Sequence, residues 1–511
     1  MFEAGMRIGL AEFDGMDIAI SKADFRIVLV GFMSVLVSPC AILRAADPNF
    51  AAAASAYKQS FLENDFSYLD ADDYSGGYLG ESLKRLRPYR NVTVDVGGRY
   101  RARYHNENNL RRRRLTGASD DFVLHQTFLF ADIHLGDELR IFAQGIDANS
   151  DGNDLQPRAT EVNRLDMQML AIDALLWGDG GDQELWIRGG RQEMYYGSQR
   201  LVASRPWRNT PLTHDGFRMW WKDGDHRWDT FWVRPINPSQ HLPEDHNFDH
   251  PDQSRQFYGS FFETKNKQRT LNLFYFGLTE QDNIVPAFDG TLGGFDLHTV
   301  GSRILADQSD TMIELEGGYQ FGKFTGSQQS AGYFTAGIGR RMNRLPLSPT
   351  VWLYYDWASG DNDLGDDIHA TFYHLEPRGH YYLGWADLTG RRNIQDLNLQ
   401  TAFDVTDRVV GQIQLHNFWL ANRNDALYSP GGSPIFHDPS GSAGKELGHE
   451  LDLQLRWTIT PRAHLLVGYS YLWAGDYFDS PVIQGGPAGT AANGADGNDG
   501  ELTYVQFSLR F

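Results

Sequence analysis

The sequence predicts an all-β protein, a single 18-stranded antiparallel transmembrane β-barrel with short periplasmic turns and long extracellular loops. Three observations predict this fold class. Apolar and polar residues alternate through many short segments, tight turns and longer polar loops follow each other in order, and the chain ends on an amphipathic strand, residues 501–511. A period of two indicates an extended strand with one apolar and one polar face.

The N-terminal region carries the one long apolar run of the chain. Basic residues precede the apolar residues 27–43, and the small pair Ala45-Ala46 follows. This order is typical of a signal peptide, and the alternative interpretation is a membrane anchor. We expect residues 1–45 to be a signal peptide, with Met16 as an alternative to the first methionine as the true start.

The composition of the chain fits an outer-membrane protein. The formal net charge of −20 argues against nucleic-acid binding. The mean hydropathy is −0.45, as in a soluble protein, but barrel strands give the same average because every second residue faces water. Cys40 is the only cysteine and lies in the predicted signal peptide, so we expect a mature chain with neither thiol nor disulfide.

Residues 46–88 are a polar leader, which we expect in the periplasm and partly ordered, and residues 89–511 are the predicted barrel. In the barrel one unit repeats: an alternating strand, a tight turn, a second strand and a longer polar loop. Eight tight turns and nine longer connections give 18 strands, with both barrel ends on the short-turn side. The tight turns are predicted at residues 136–138, 178–183, 223–226, 265–268, 307–310, 343–348, 406–408 and 460–462. A β-sandwich would rarely need so many successive hairpins, and a propeller would show a stricter repeat.

Arginine stands out on the polar faces of the predicted strands, which line the pore if the apolar faces meet lipid. On the lipid face near the membrane midplane an arginine would cost about 2–4 kcal/mol. Guanidinium groups bind carboxylates bidentately, and rings of arginine favour anions in a pore. The alternative is a stiffening lattice of salt bridges to lumen acids such as Glu314, Glu316 and Asp452. The arginines that we expect to line the pore and bind a polyanion are Arg99, Arg101, Arg103, Arg188, Arg191, Arg200, Arg218, Arg234, Arg341 and Arg456.

A long motif spans residues 188–218, between two predicted strands. It combines G-R-Q-E at 190–193, Y-G-x-Q-R-L at 196–201, W-x-N-T at 207–210 and D-G-x-R at 215–218. In these features the segment resembles the central motif of the alginate export family of outer-membrane channels.

A second stretch resembles the same family, with D-x-x-S-G-D at 356–361 followed by Gly379-His380 and Gly384. One departure is Gly189, where an aliphatic residue is usual. The resemblance runs from about residue 60 to the C-terminus. It implies an 18-stranded barrel with an electropositive constriction through which secreted alginate leaves the cell, and it also implies that some members are general uptake channels.

The 188–218 motif ends one strand, crosses a loop and begins the next strand. Its prolines and its tryptophan indicate a structured loop. We expect the loop to fold inward with Arg200 as a constriction, and the alternative is a structured loop that faces outward. The residues assigned to the constriction are Arg205, Trp207, Arg208 and Asn209.

No metal site or catalytic site is predicted with comparable support. Asp361, Asp363 and Asp366 are a weak candidate for Ca²⁺, but their spacing is not that of an EF-hand and a solvated acidic loop is favoured. His214 and Asp215 are adjacent on a strand, so they face opposite ways and do not act as a pair. We expect no cofactor and no enzymatic activity.

The leading hypothesis is a channel in the outer membrane for passive secretion of an anionic, alginate-like exopolysaccharide through an arginine-lined pore. The alternative is a porin-like channel for uptake of small anions or sugars. A barrel hydrolase would need Ser, His and an acid clustered near the outer rim, and no such set can be assembled. Expected partners are the polysaccharide, outer-membrane lipid, periplasmic secretion-complex proteins and the barrel-assembly machinery. We expect a monomer that does not bind nucleic acid.

Overall fold

The computed structural model describes most of the chain from residue 48 onward. The described residues are 48–111, 115–178, 181–236, 248–286, 292–363, 365–438, 440–485, 495 and 497–511. The predicted signal peptide, with Cys40, lies outside them.

In the described part of the chain, eighteen antiparallel strands form one closed barrel, which confirms the predicted fold class. The strands follow the chain in order. They are β1 (Val92–Asn108), β2 (Asp120–Leu135), β3 (Leu139–Asp151), β4 (Asn163–Trp177), β5 (Gln183–Gln192), β6 (His214–Asp223), β7 (His226–Pro235), β8 (Arg255–Lys265), β9 (Arg269–Pro286), β10 (Leu292–Gln308), β11 (Thr311–Phe324), β12 (Ser327–Arg341), β13 (Thr350–Ala358), β14 (Ile394–Thr406), β15 (Val409–Leu420), β16 (Glu446–Thr458), β17 (Ala463–Ala474) and β18 (Gly500–Arg510).

The barrel closes because its last strand pairs with its first. β18 runs antiparallel to β1, from Glu501 opposite Asn108 to Arg510 opposite Arg99. Phe507, on the apolar face of β18, points outward with 38% of its surface exposed. An apolar face that looks away from a closed barrel is the face that meets lipid.

All eight predicted tight turns join consecutive strands at one end of the barrel. Gly136 and Gly224 adopt φ values of 63° and 52° there, a left-handed conformation that glycine reaches without steric cost. One connection at the opposite end is shorter than the sequence predicted, since only Thr325 and Gly326 separate β11 from β12. Short turns mark the periplasmic end.

Short elements occupy the leader and the long loops. Leu86–Tyr89 pairs with the start of β1, and Ile368–His369 pairs in parallel with β12. A separate three-stranded sheet is made of Leu427–Tyr428, Pro434–His437 and Gln484–Gly485. Among the described residues, the α-helices are Pro48–Ser55, Gly379–Tyr382 and Asp476–Asp479, and the 3₁₀-helices are Phe61–Glu63, Ser67–Asp70 and Glu81–Leu83. None of the helices in the described residues is long and apolar enough to cross a membrane.

Three segments enter the lumen and bury its inward-facing side chains. The leader (residues 48–85) enters from the periplasmic end, and its aromatic residues form one core cluster with inward residues of β2 to β4. The first inserted loop (residues 193–213) and the second inserted loop (residues 359–363 and 365–393) share a larger core cluster with the barrel wall. The lumen is therefore packed with protein rather than being an open tube.

Candidate pore and constriction

The two inserted loops hold each other inside the barrel. Val202 forms a parallel bridge with Glu376. The backbone N–H of Ala203 donates to the carbonyl of Glu376 at 2.8 Å, and the N–H of Glu376 donates to the carbonyl of Leu201 at 2.8 Å. These backbone hydrogen bonds satisfy the polar groups of both loops and fix the two loops to each other inside the lumen.

The first strand carries a ladder of inward-facing arginines, Arg99, Arg101 and Arg103. Among the described residues no carboxylate lies within 4.0 Å of their guanidinium nitrogens. Arg99 instead donates to Oε1 of Gln126 at 2.6 Å. The Nε atoms of all three arginines, and Nη1 of Arg103, are buried without an acceptor. Buried cationic donors without an anion are costly, so this wall suits an anionic ligand.

The predicted constriction segment docks on this ladder through its backbone carbonyls. Arg101 donates to the carbonyl of Arg208 at 2.9 Å and to Oδ1 of Asn209 at 3.1 Å. Arg103 donates to the carbonyl of Trp207 at 2.7 Å. The guanidinium of Arg103 also lies 3.7 Å from the centre of the Trp207 indole. The structure thus places the loop inside the lumen, against the basic wall.

Trp207 and Asn209 fix the position of the segment. The ring of His380, from the second inserted loop, stacks on Trp207 at a centroid distance of 4.0 Å. The side-chain amide of Asn209 donates to the carbonyls of His125 at 3.0 Å and Glu161 at 2.8 Å. Asn209 is 1% exposed, so its side chain replaces water as the partner of several wall carbonyls. Arg205, the remaining constriction residue, donates to the carbonyl of Leu375 at 3.5 Å.

The opposite wall carries acids, and arginines neutralise them. Arg200 of the first inserted loop lies 3.0 Å from Glu314 and 3.4 Å from Glu316. Arg391 of the second inserted loop lies 2.5 Å from Asp356. With Arg303 on Glu314 at 2.6 Å, three cations face three carboxylates. These three carboxylates, which we call the acidic wall, are matched by three arginines, whereas no described carboxylate lies within 4.0 Å of the guanidinium nitrogens of the arginine ladder.

Several other predicted arginines face the lumen in salt bridges, as the lattice interpretation expects. Arg188 is bidentate on Asp173, at 2.6 and 2.7 Å. Arg218 lies 2.5 Å from Asp229, and Arg341 lies 2.6 Å from Asp307 at the periplasmic rim. Arg456 faces the lumen from β16 with an exposed side chain. These four arginines point inward because each lies on the inward-facing side of its strand, but they lie on four different strands and do not form one wall.

Two predicted pore residues, Arg191 and Arg234, face outward instead. Arg191 lies opposite Leu170, which is 47% exposed on the lipid side, and binds Asp215 at 2.9 Å. The guanidinium of Arg234 lies 5.4 Å from the ring centre of Trp232, which is 40% exposed. Each arginine is one residue from the outer end of its strand, where its guanidinium can snorkel to the headgroups.

The Ca²⁺ candidate residues use their carboxylates to shape a turn. Asp361 accepts the N–H of Asp363 at 3.0 Å, and Asp363 accepts the N–H of Gly365 at 3.1 Å. Asp366 accepts the N–H of Ile368 at 2.8 Å. Within the described ranges no group of three or more His, Cys, Asp or Glu side chains is arranged to hold a metal ion.

Sequence reasoning did not assign Arg510 or Glu193 to the site. Arg510 faces inward and lies directly opposite Arg99 across the closing seam, so the basic wall extends toward the periplasm. Its place on the polar face of the last strand was the available signal. Glu193 lies where the leader meets the first inserted loop, beside Ser60, and burial raises the pKa of its carboxyl to about 7. No sequence pattern indicates that contact.

Comparisons with known proteins agree with this architecture. A family model described as alginate export matches residues 92–486. No curated protein sequence matches the chain.

Solved structures of outer-membrane proteins share the fold at low sequence identity. OccK2 (OpdF) of Pseudomonas aeruginosa is 12% identical, with a TM-score of 0.52 over 82% of this chain and 97% of that one. OccK8 (OprE) of the same organism is 11% identical, with a TM-score of 0.51 over 82% and 98%. OccAB2 of Acinetobacter baumannii is 12% identical, with a TM-score of 0.50 over 82% and 98%. The family model covers well over half of the sequence, and the chain belongs to the alginate export family, as a β-barrel channel of the outer membrane.

Proposed function

We propose that the protein is a passive secretion channel for an anionic, alginate-like exopolysaccharide that moves along the arginine ladder of β1. The observation that carries the proposal is the pairing state of Arg99, Arg101 and Arg103. Their donors are met by an amide and by loop carbonyls, and several buried N–H groups have no acceptor. Carboxylates of a passing polymer would supply the missing acceptors.

The docked loop suggests how the passage opens. Arg101 and Arg103 already make charge-assisted hydrogen bonds to neutral carbonyls, and a carboxylate adds a second charge and can accept two bonds from one guanidinium. A carboxylate at Arg101 or Arg103 would therefore compete well with the carbonyls of Trp207 and Arg208. Successive inward residues of a strand lie about 6.6 Å apart. One carboxylate of the polymer can therefore bind an arginine before the neighbouring carboxylate dissociates from the next arginine. A row of weak sites moves a polyanion without trapping it.

Uptake of small anions or sugars is the second candidate function. The cavity beside Arg103, Trp207 and Trp385 measures about 30 Å³, room for about two waters. A small solute needs a smaller displacement of the inserted loops than a polymer chain does.

Planar bilayer recordings test the proposal. We expect an anion-selective wild-type channel and a reversal potential shifted toward cations in Arg103→Gln. The matched control is Arg164→Gln, which removes one positive charge near the outer-face residue Asp147, 2.5 Å away, and should leave selectivity unchanged. Block of the current through open channels by long polyuronate chains added on the extracellular side, but not by short neutral sugars, favours secretion of a polymer. A cation-selective wild type would remove the basis of both anion models.

A further inference from the structure

The tip of the leader, residues 57–66, is packed into the periplasmic half of the lumen. The ring of Phe61 lies 5.9 Å from that of Phe128 and 5.2 Å from that of Phe130, two inward residues of β2. Tyr57, Phe61 and Phe66 are all under 7% exposed. The inward face of a barrel strand that meets water has no need of large aromatic side chains. We therefore attribute Phe128 and Phe130 to the packing of the leader.

The same aromatic rings cover the arginines near the seam where β18 pairs with β1. The guanidinium of Arg99 lies 5.5 Å from the ring centre of Phe61. Tyr57 has Arg462 at 5.0 Å and Arg510 at 5.5 Å. Aromatic faces attract cations, but more weakly than a carboxylate does. The leader therefore occupies the periplasmic end of the basic wall without placing a described carboxylate within 4.0 Å of Arg99 or Arg510.

Hydrogen bonds at the barrel rim hold the leader in place. The Tyr57 hydroxyl donates to the carbonyl of Phe511 at 2.8 Å. Arg462, in a periplasmic turn, donates to the carbonyl of Ala53 at 2.9 Å and lies 3.1 Å from Glu81. Arg140 donates to the carbonyl of Leu62 at 2.6 Å. Contacts on several strands span the mouth of the barrel.

The tip also touches the constriction from below. Gln59 and Gln199 exchange two amide hydrogen bonds, of 3.2 and 3.1 Å. Gln59 also donates to the hydroxyl of Ser204 at 3.4 Å. The leader and the first inserted loop thus meet inside the lumen, having entered it from opposite ends.

We propose that the leader is an autoinhibitory plug that an anionic chain displaces from the periplasmic side. The inference rests on the proposed function, since the competing ligand is the polyanion. A carboxylate at Arg99 or Arg510 gains charge pairing that Phe61 and Tyr57 cannot give. Release of the leader then removes the support beneath Gln199, and the constriction loop is free to leave Arg101.

A reducible cross-link tests the plug directly. We expect Gln59→Cys/Gln199→Cys, bridged by a short bifunctional methanethiosulfonate, to lose its conductance in bilayers and to regain it on reduction. Each single-cysteine variant, treated in the same way, should conduct as before. The cysteines are unique in the mature chain if Cys40 is removed with the signal peptide. A bridged channel that conducts like the unbridged one would overturn the proposal.

A weakened plug gives the complementary readout. Phe61→Ala should raise the open fraction without added polymer and abolish the rise that polyuronate on the periplasmic side causes in the wild type. The control is Tyr89→Ala, which removes a 76% exposed side chain of the short strand Leu86–Tyr89, just after the leader. An open fraction equal to that of the wild type would contradict the proposal. The two proposals fail separately: cation selectivity with intact plug effects refutes only the polyanion path, and anion selectivity without plug effects refutes only the plug.

Discussion

Gln59 of the leader and Gln199 of the first inserted loop form a reciprocal amide pair in the lumen, with hydrogen bonds of 3.2 and 3.1 Å. The two residues lie 140 positions apart in the chain. This pair joins a segment that enters from the periplasm to a loop that enters from outside. A change in either segment should therefore alter the position of the other.

Asn209→Ala should loosen the constriction loop. The variant removes the donor to the carbonyls of His125 and Glu161 and the acceptor for Arg101. Buried groups that lose their partner cost about 1–3 kcal/mol each, so we expect a lower Tm and more frequent openings in single-channel records. The control is Asn417→Ala, whose side chain bonds at an exposed site. An unchanged open fraction would mean that Asn209 does not hold the constriction loop in the closed position.

Glu193→Gln should change how stability depends on pH. Burial raises the pKa of Glu193 to about 7 and the charge of Glu63 adds to the rise, whereas the hydrogen bond with Ser60 and the charge of Arg99 oppose it. A raised carboxyl pKa means that the folded state favours the protonated form. Its contribution to stability is complete below about pH 4.5 and is lost as the pH rises through about 7.

We therefore expect the Tm difference between Glu193→Gln and the wild type to be small at pH 5 and to favour the variant at pH 8. Thermal scans across this range check it. Glu138→Gln, at an exposed turn, is the control that should show no such trend. A difference that stays constant with pH would show that Glu193 keeps an ordinary pKa.

Arg200→Gln should unbalance the acidic wall. Arg200 is 1% exposed and lies 3.0 Å from Glu314. Removing one partner of a buried pair costs about 3–5 kcal/mol, and the freed carboxylates should make the lumen less anion-selective. Adding Glu314→Gln restores the charge balance, so the double variant should recover selectivity. Unfolding by denaturant and reversal potentials measure the two effects, and a double variant as cation-shifted as the single one would contradict the pairing.

Arg191→Gln and Arg234→Gln should leave ion selectivity unchanged. Both side chains face away from the lumen, beside Asp215 and Trp232. Arg103→Gln, with the same loss of charge on the inward face, should shift the reversal potential. A shift of equal size in all three variants would show that the outward assignment is wrong.

The sequence alone predicted the barrel, its 18 strands and the pairing of the last strand with the first, because alternation and tight turns are local signals that are present in every strand. It also determined the inward direction of Arg99, Arg101 and Arg103, which share one parity on β1. The same rule bears on Arg188 and Arg191: three residues apart on one regular strand, they must face opposite sides.

The contacts that those side chains make could be seen only in the folded barrel. Arg188 has Asp173 and Arg200 has Glu314, whereas the ladder has loop carbonyls, and no periodicity within a strand records these partners. The leader and the inserted loops reach the lumen through contacts such as Gln59 with Gln199, between segments far apart in sequence. Their packing depends on the shape and charge of a cavity that exists only once all the strands have closed around it.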